Sequence, residues 1–181
     1  MGRDTIREYI KALLEEESIE VPNSPEEVVV EEPKRFRKEY PFTGYINFQG
    51  IDIDVENVKG STRKGKDSDG KEWQTYMSAH YGEIRKGGTA GVDEDKLDVY
   101  IGDNHNSPLV VIVHQQDPET KEFDEDKIVV GFDSEDEALE LYNSQYDSPD
   151  YYQDHITMSI GELWSWIKDR ENKGKKIEQT S

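Results

Sequence analysis

The sequence predicts an α+β fold, an antiparallel sheet or small barrel with helices packed on it. Three observations lead there. Short runs with strand character follow one another from residue 45, stretches rich in Gly, Ser, Lys and Asp separate them, and the best amphipathic segments come after the strands. Consecutive strands followed by helices suit a sheet with helices laid against it better than alternating βαβ units.

Taken in chain order, Asp4 can cap a helix whose residues Ile6, Ile10, Leu13 and Leu14 share a face with Tyr9, ending in the acidic run Glu15 to Glu17. Residues 18–40 mix Pro22, Pro25 and Pro33 with Glu pairs and the basic stretch Lys34 to Lys38, which reads as a linker. Residues 1–40 are therefore expected to form an arm and residues 41–181 the folded domain. Strands are expected at Tyr45 to Phe48 and Ile51 to Val55, the latter because Ile51, Ile53 and Val55 alternate with Asp52, Asp54 and Glu56. Residues 59–70 read as a loop. Further strands are expected at Trp73 to Met77, Leu97 to Ile101, Leu109 to His114 and Lys127 to Phe132, with Leu109 to Val113 buried on both faces. Two helices follow, opened by the pairs Ser134 with Glu137 and Ser159 with Glu162, each spaced as a capping box. In the last, Ile160, Leu163, Trp164 and Ile167 form a packing face.

Composition narrows the function classes. The 181 residues contain no Cys, which excludes disulfides, thiolate metal sites and Cys nucleophiles. The charged start has no signal-peptide apolar core and no stretch has the length of a membrane span, so a cytoplasmic protein is expected. A net charge of -19 argues against nonspecific binding to nucleic acid or anionic membrane. Within this acidic chain, Lys59, Arg63, Lys64 and Lys66 form a basic run with no acid between them. A basic island beside a carboxylate-rich body suits a site that holds cations on one side and phosphate oxygens on the other.

The sharpest motif is Asp93-Glu94-Asp95-Lys96-Leu97-Asp98, leading into a strand. Extended residues two apart share a side, so Asp93 and Asp95 can converge, and Asp98 joins them if the chain bends at Lys96. Hard cations such as Mg2+ are bound by several oxygens of this kind. An EF-hand beginning at Asp93 fails on spacing, since Leu97, Asp98 and Asn104 occupy the positions of an oxygen ligand, Gly and Glu. Gly87, Gly88 and Gly91 precede no Gly-Lys-Ser/Thr and form no phosphate loop. A second cluster, Phe123-Asp124-Glu125-Asp126-Lys127, either neutralises itself at the surface or places Lys127 on a phosphate oxygen while Asp124 or Glu125 ligates a cation. His80, His105, His114 and His155 are too widely spaced to suggest a zinc site.

Several stretches together resemble the soluble (family I) inorganic pyrophosphatases, and more closely the divergent pyrophosphatase-like domain of bacteriophage and mobile-element proteins. They are Lys59-Gly60-Ser61-Thr62-Arg63, Gly70 to Trp73, Tyr81-Gly82-Glu83-Ile84, the triplet Asp93, Asp95 and Asp98 with Val99, Phe123-Asp124-Glu125 with Lys127 running into Gly131-Phe132, and Tyr142. The resemblance spans roughly residues 45–167 in the family's order. It implies a five-stranded, OB-like antiparallel barrel with helices outside it, and hydrolysis of pyrophosphate with two or more Mg2+ ions, Mn2+ being the substitute. It further implies that Asp93 and Asp98 ligate metal, that Asp95 is the general base, and that Arg63, Tyr81, Lys127 and Tyr142 contact phosphate. Glu56 would stand for the family's early strand glutamate among the metal ligands. The sequence departs from the family at Lys96, where Pro is typical, and at Asn143, where Lys follows the helix Tyr.

Two other function classes remain open at this stage. One is a virion or host-interaction protein that keeps the fold and recruits a protein partner through its 40-residue arm, in the host cytoplasm or in the phage particle. The other is an acidic mimic of nucleic acid that occupies a basic protein.

Overall fold

A computed structural model of the chain describes residues 43–66, 69–85, 97–172 and 174–179. The expected N-terminal helix and linker lie outside the described residues, as do Asp93 and Asp95.

Nine strands and two helices build the described part. In order they are β1 (Gly44–Phe48), β2 (Ile51–Asn57), β3 (Thr62–Lys66), β4 (Glu72–Tyr76), β5 (His80–Ile84), β6 (Asp98–Ile101), β7 (Leu109–Gln116), β8 (Phe123–Val130), α1 (Glu135–Ser144), β9 (Tyr152–Ser159) and α2 (Ile160–Lys168). Seven strands form one sheet in the order β1-β2-β5-β6-β8-β7-β9, and β3 pairs only with β4. The α+β class is as expected, but the five-stranded closed antiparallel barrel is not what the ladder forms. The sheet has seven strands, its order is open from β1 to β9, and β6 runs parallel to β8 with Asp98 opposite Lys127.

Local chemistry explains most of the elements. Gln49 and Gly50 both take positive φ, 48° and 93°, the two-residue turn whose twist matches the strands it joins. Residues 62–66, expected as loop, are instead a strand, because β4 supplies a partner and the Trp73 ring covers Gly65 directly across the pair. Strands β5 and β9 were not foreseen either, and β8 covers Phe123–Val130 rather than 127–132. Ser134 caps α1 by accepting from the Glu137 N–H, and the Glu137 carboxylate accepts from the N–H of Asp133. The Ser159 and Glu162 pair at α2 is a complete capping box.

The two faces of the large sheet carry separate cores. On one, Ile51, Ile53 and Val55 of β2, Val110 and Ile112 of β7, and Ile128 and Val130 of β8 pack with Ile160, Leu163 and Trp166 of α2. On the other, Val111, Val113 and Val129 pack with Tyr81, Tyr100 and the α1 residues Ala138, Leu141 and Tyr142. Alternate residues of β7 thus enter opposite cores, so the expected double burial of this strand is observed.

The chain's last described segment crosses the α2 side. Ile177 is fully buried there, and its N–H donates to Asp126 Oδ2 at 2.7 Å while Asp126 Oδ1 meets His114 Nδ1 at 2.6 Å. Among the described residues no helix is long and apolar enough to cross a membrane.

Candidate active site

Strand alternation assembles the site on the α1 side of the sheet. Val55, Ile84, Val99 and Ile128 face the α2 core, so Glu56, Glu83, Asp98 and Lys127 project to the other side. The registers Glu83 opposite Asp98 and Asp98 opposite Lys127 lay these side chains in a row across β5, β6 and β8. A second row, Tyr81 opposite Tyr100 and Tyr100 opposite Val129, lies behind it. Two acids directly opposed across strands repel each other, a cost that a purely structural sheet avoids.

Lys127 joins the acids to the tyrosines. Its ammonium pairs with Asp98 Oδ2 and with Glu125 Oε1 at 2.9 Å, and lies 3.4 Å from the Tyr81 hydroxyl. Tyr81 in turn donates to Asp98 Oδ2 at 2.7 Å. Burial alone would favour loss of the lysine proton, but Tyr81, Asp98 and Glu125 outweigh it and hold the ammonium above its ordinary range. Burial also raises the Tyr81 phenol, which stays protonated as the donor.

Arg63 reaches in from β3. Its guanidinium carbon is 4.5 Å from the Tyr81 ring centroid and 5.6 Å from that of Trp73. Among the described residues it is held by ring faces, not carboxylates, a setting that leaves its N–H edge to bind an anion.

On the acid side, Glu56 is pushed up to about 7, first by burial, then by the charges of Glu83 and Asp98, and it shares a hydrogen bond with Glu83. Glu56 thus keeps its proton to a pH at which an ordinary carboxyl has lost it, beside a second carboxylate with which it could bridge a cation. The donors are all oxygen, which fits a hard divalent ion in kind. Among the described residues no three such side chains form a complete metal-binding group, so these carboxylates would supply part of a coordination shell.

A cavity of about 500 Å3 adjoins the cluster, with Arg63, Glu125 and Lys127 on its lining alongside Trp73, Tyr100 and Tyr146. The residues singled out from the sequence divide as follows. Glu56, Arg63, Tyr81, Asp98, Glu125 and Lys127 gather at one place. Asp124 is exposed, and no hydrogen bond or ion pair among the described residues ties it to the cluster. Tyr142 is buried and accepts from Gln115 Nε2 at 2.7 Å; burial pushes its phenol up to about 12, and it does not line the cavity. Asp93 and Asp95 lie outside the described residues. Glu83 and Tyr100 were missed by sequence reasoning. Each stands two residues from a chosen one, Tyr81 and Asp98, so the strand period was the available signal.

Close packing fixes the row. A Cβ on Gly82 would lie 1.9 Å from the Asp54 carbonyl oxygen, so β2 and β5 approach as they do only because that residue has no side chain. The exits of β6 and β8 are pinned likewise: Gly131 has φ 81°, and a Cβ on Gly102 would meet its carbonyl oxygen at 2.4 Å.

No curated protein and no solved structure matches the chain significantly. The family model for inorganic pyrophosphatase matches residues 33–168, which covers most of the chain and every described member of the cluster. With its acid row, buried ammonium and ring-held guanidinium on one sheet face, this chain belongs to the inorganic pyrophosphatase family.

Proposed function

We propose that the chain hydrolyses a phosphoanhydride, with inorganic pyrophosphate the first substrate to test and Mg2+ or Mn2+ as cofactor. The observation that supports this reading is the meeting, on one sheet face of a family member with net charge -19, of two cationic groups with a row of acids. Two cationic side chains that border one cavity can receive the phosphate oxygens, while the acids hold the metal that neutralises the rest.

Each residue then has a task set by its surroundings. Asp98 commits Oδ2 to Tyr81 and Lys127, and no bond among the described residues engages Oδ1, which is the oxygen left for a cation. Glu56 would give up its proton to ligate a cation beside Glu83. When bound, the metal would lower the pKa of a coordinated water and shield the departing phosphate. Asp95 is assigned the water's proton, on the strength of its place in the family's triplet. Arg63 and Lys127 would offset charge on the oxygens as the P–O bond breaks. Because both are fixed before substrate arrives, little reorganisation is needed at that moment.

The test is phosphate release from pyrophosphate by the purified full chain. Turnover with Mg2+ or Mn2+ that a chelator abolishes is expected. Release no faster than the uncatalysed reaction with either metal would overturn the proposal.

A further inference from the structure

The cavity holds features that phosphate alone does not require. Its volume of about 500 Å3 lies in the range of sites that enclose organic ligands, ~300–1,000 Å3, and a bare diphosphate would leave most of its aromatic lining uncovered. Trp73 from β4 borders the space, 37% exposed, its ring seated on Gly65. Tyr146 borders it from the segment after α1. That ring is fixed between Tyr142 and Tyr151 at centroid distances of 4.8 Å and 5.6 Å, and its hydroxyl lies 3.3 Å from that of Tyr100. Rigid rings of this kind offer stacking area at little entropic cost.

A second observation is independent of the rings. Gln145 also lines the cavity, is 7% exposed, and its Oε1 is buried with no hydrogen-bond partner, while its Nε2 donates to Ser144 Oγ at 3.0 Å. A buried acceptor without a donor costs stability unless something supplies one. Neither pyrophosphate nor a metal ion has an N–H to give it. An exocyclic amine or ring N–H of a heterocycle does.

We infer that the cavity takes a nucleoside polyphosphate, with the phosphates at Arg63 and Lys127, the base stacked on Trp73 or Tyr146, and a base N–H donated to Gln145 Oε1 once the carboxamide turns from its buried position toward the cavity. As a substrate assignment this rests on the hydrolase reading above; as a binding assignment it does not. The reaction stays a hydrolysis: a water oxygen bonds to phosphorus, the bridging P–O bond breaks, and the water's hydrogens end on the products or in solvent.

Binding of imido-linked, hydrolysis-resistant analogues to the full chain with Mg2+ decides it, measured by calorimetry. The adenosine or guanosine triphosphate analogue should bind about tenfold or more tightly than imidodiphosphate, as stacking of one base supplies. Gln145→Leu should remove most of that preference and leave imidodiphosphate affinity unchanged. Equal affinities in the parent, or a Gln145→Leu chain whose affinity for both ligands falls by the same factor, would overturn the inference. Phosphate release run alongside keeps the two readings apart. Turnover of pyrophosphate without nucleotide preference sinks the inference and leaves the hydrolase, whereas preferential nucleotide binding with no release from any substrate upholds the inference and sinks the hydrolase.

Discussion

Lys127 is 5% exposed yet remains charged, because it faces Asp98, Glu125 and the Tyr81 hydroxyl at once. Removing its charge would leave Asp98 beside Glu56 and Glu83 with no ammonium to offset the repulsion. Lys127→Met is expected to cost about 3 kcal/mol in chemical denaturation, the scale of breaking a buried ion pair, and to abolish most turnover. Glu56 yields a prediction of opposite character. Its folded carboxyl, raised to about 7 from the ordinary 4.5, holds a proton that the unfolded chain has already lost between those values. The resulting stabilisation is complete below pH 4.5 and disappears as pH climbs through 7. In metal-free buffer the Glu56 contribution, read as the difference between the parent and Glu56→Gln, should fall from pH 5 to pH 8 by about 1–2 kcal/mol after allowance for solvent screening. Identical pH profiles in parent and variant would contradict the raised Glu56 carboxyl. Asp95→Asn is expected to keep the unfolding midpoint and lose roughly 100-fold in turnover, since it removes only a proton acceptor.

At the scale of elements, the parallel contact between β6 and β8 decides what meets what. It sets Asp98 against Lys127, although β7 lies between them in the chain. The Gly82 contact decides how closely β2 carries Glu56 toward Glu83. Gly82→Ala places a carbon against the Asp54 carbonyl, so the strands must part, and a loss of more than about 4 kcal/mol is expected in denaturation. Legibility in the sequence followed the strength of local pattern. Alternation in β2 and the apolar run in β7 could be read directly, as could the serine caps of both helices. Strand β3, Thr-Arg-Lys-Gly-Lys, could not, because its pairing depends on a tryptophan covering a glycine eight residues before it. Strand β9, at the sheet edge, has Tyr152, Gln153, His155, Ile156 and Thr157 all half-buried, which leaves no clear period of two. A parallel pairing leaves no local mark at all, so neither the open sheet nor its mixed direction was visible.

The whole molecule divides its labour between the sheet's faces. The site side gathers tyrosines, charges and an open cavity, whereas the α2 side is sealed by apolar packing and the segment that carries Ile177. The gathering of Arg63, Asp98 and Lys127 was legible from resemblance, since their order along the chain carried it. The aromatic lining and Gln145 were not, because they come from β4, β6 and the turn after α1, whose proximity only the fold creates. Ile177→Ala should cost about 3 kcal/mol, as large-to-small changes in a filled core do, with no change in the pH dependence of turnover. The Ile177 N–H, donated to a buried carboxylate on the side away from the cavity, has a further consequence. Its exchange with deuterium must wait for that strap to lift, so a single amide offers a clock for opening of the α2 side that substrate at the opposite face does not shield directly.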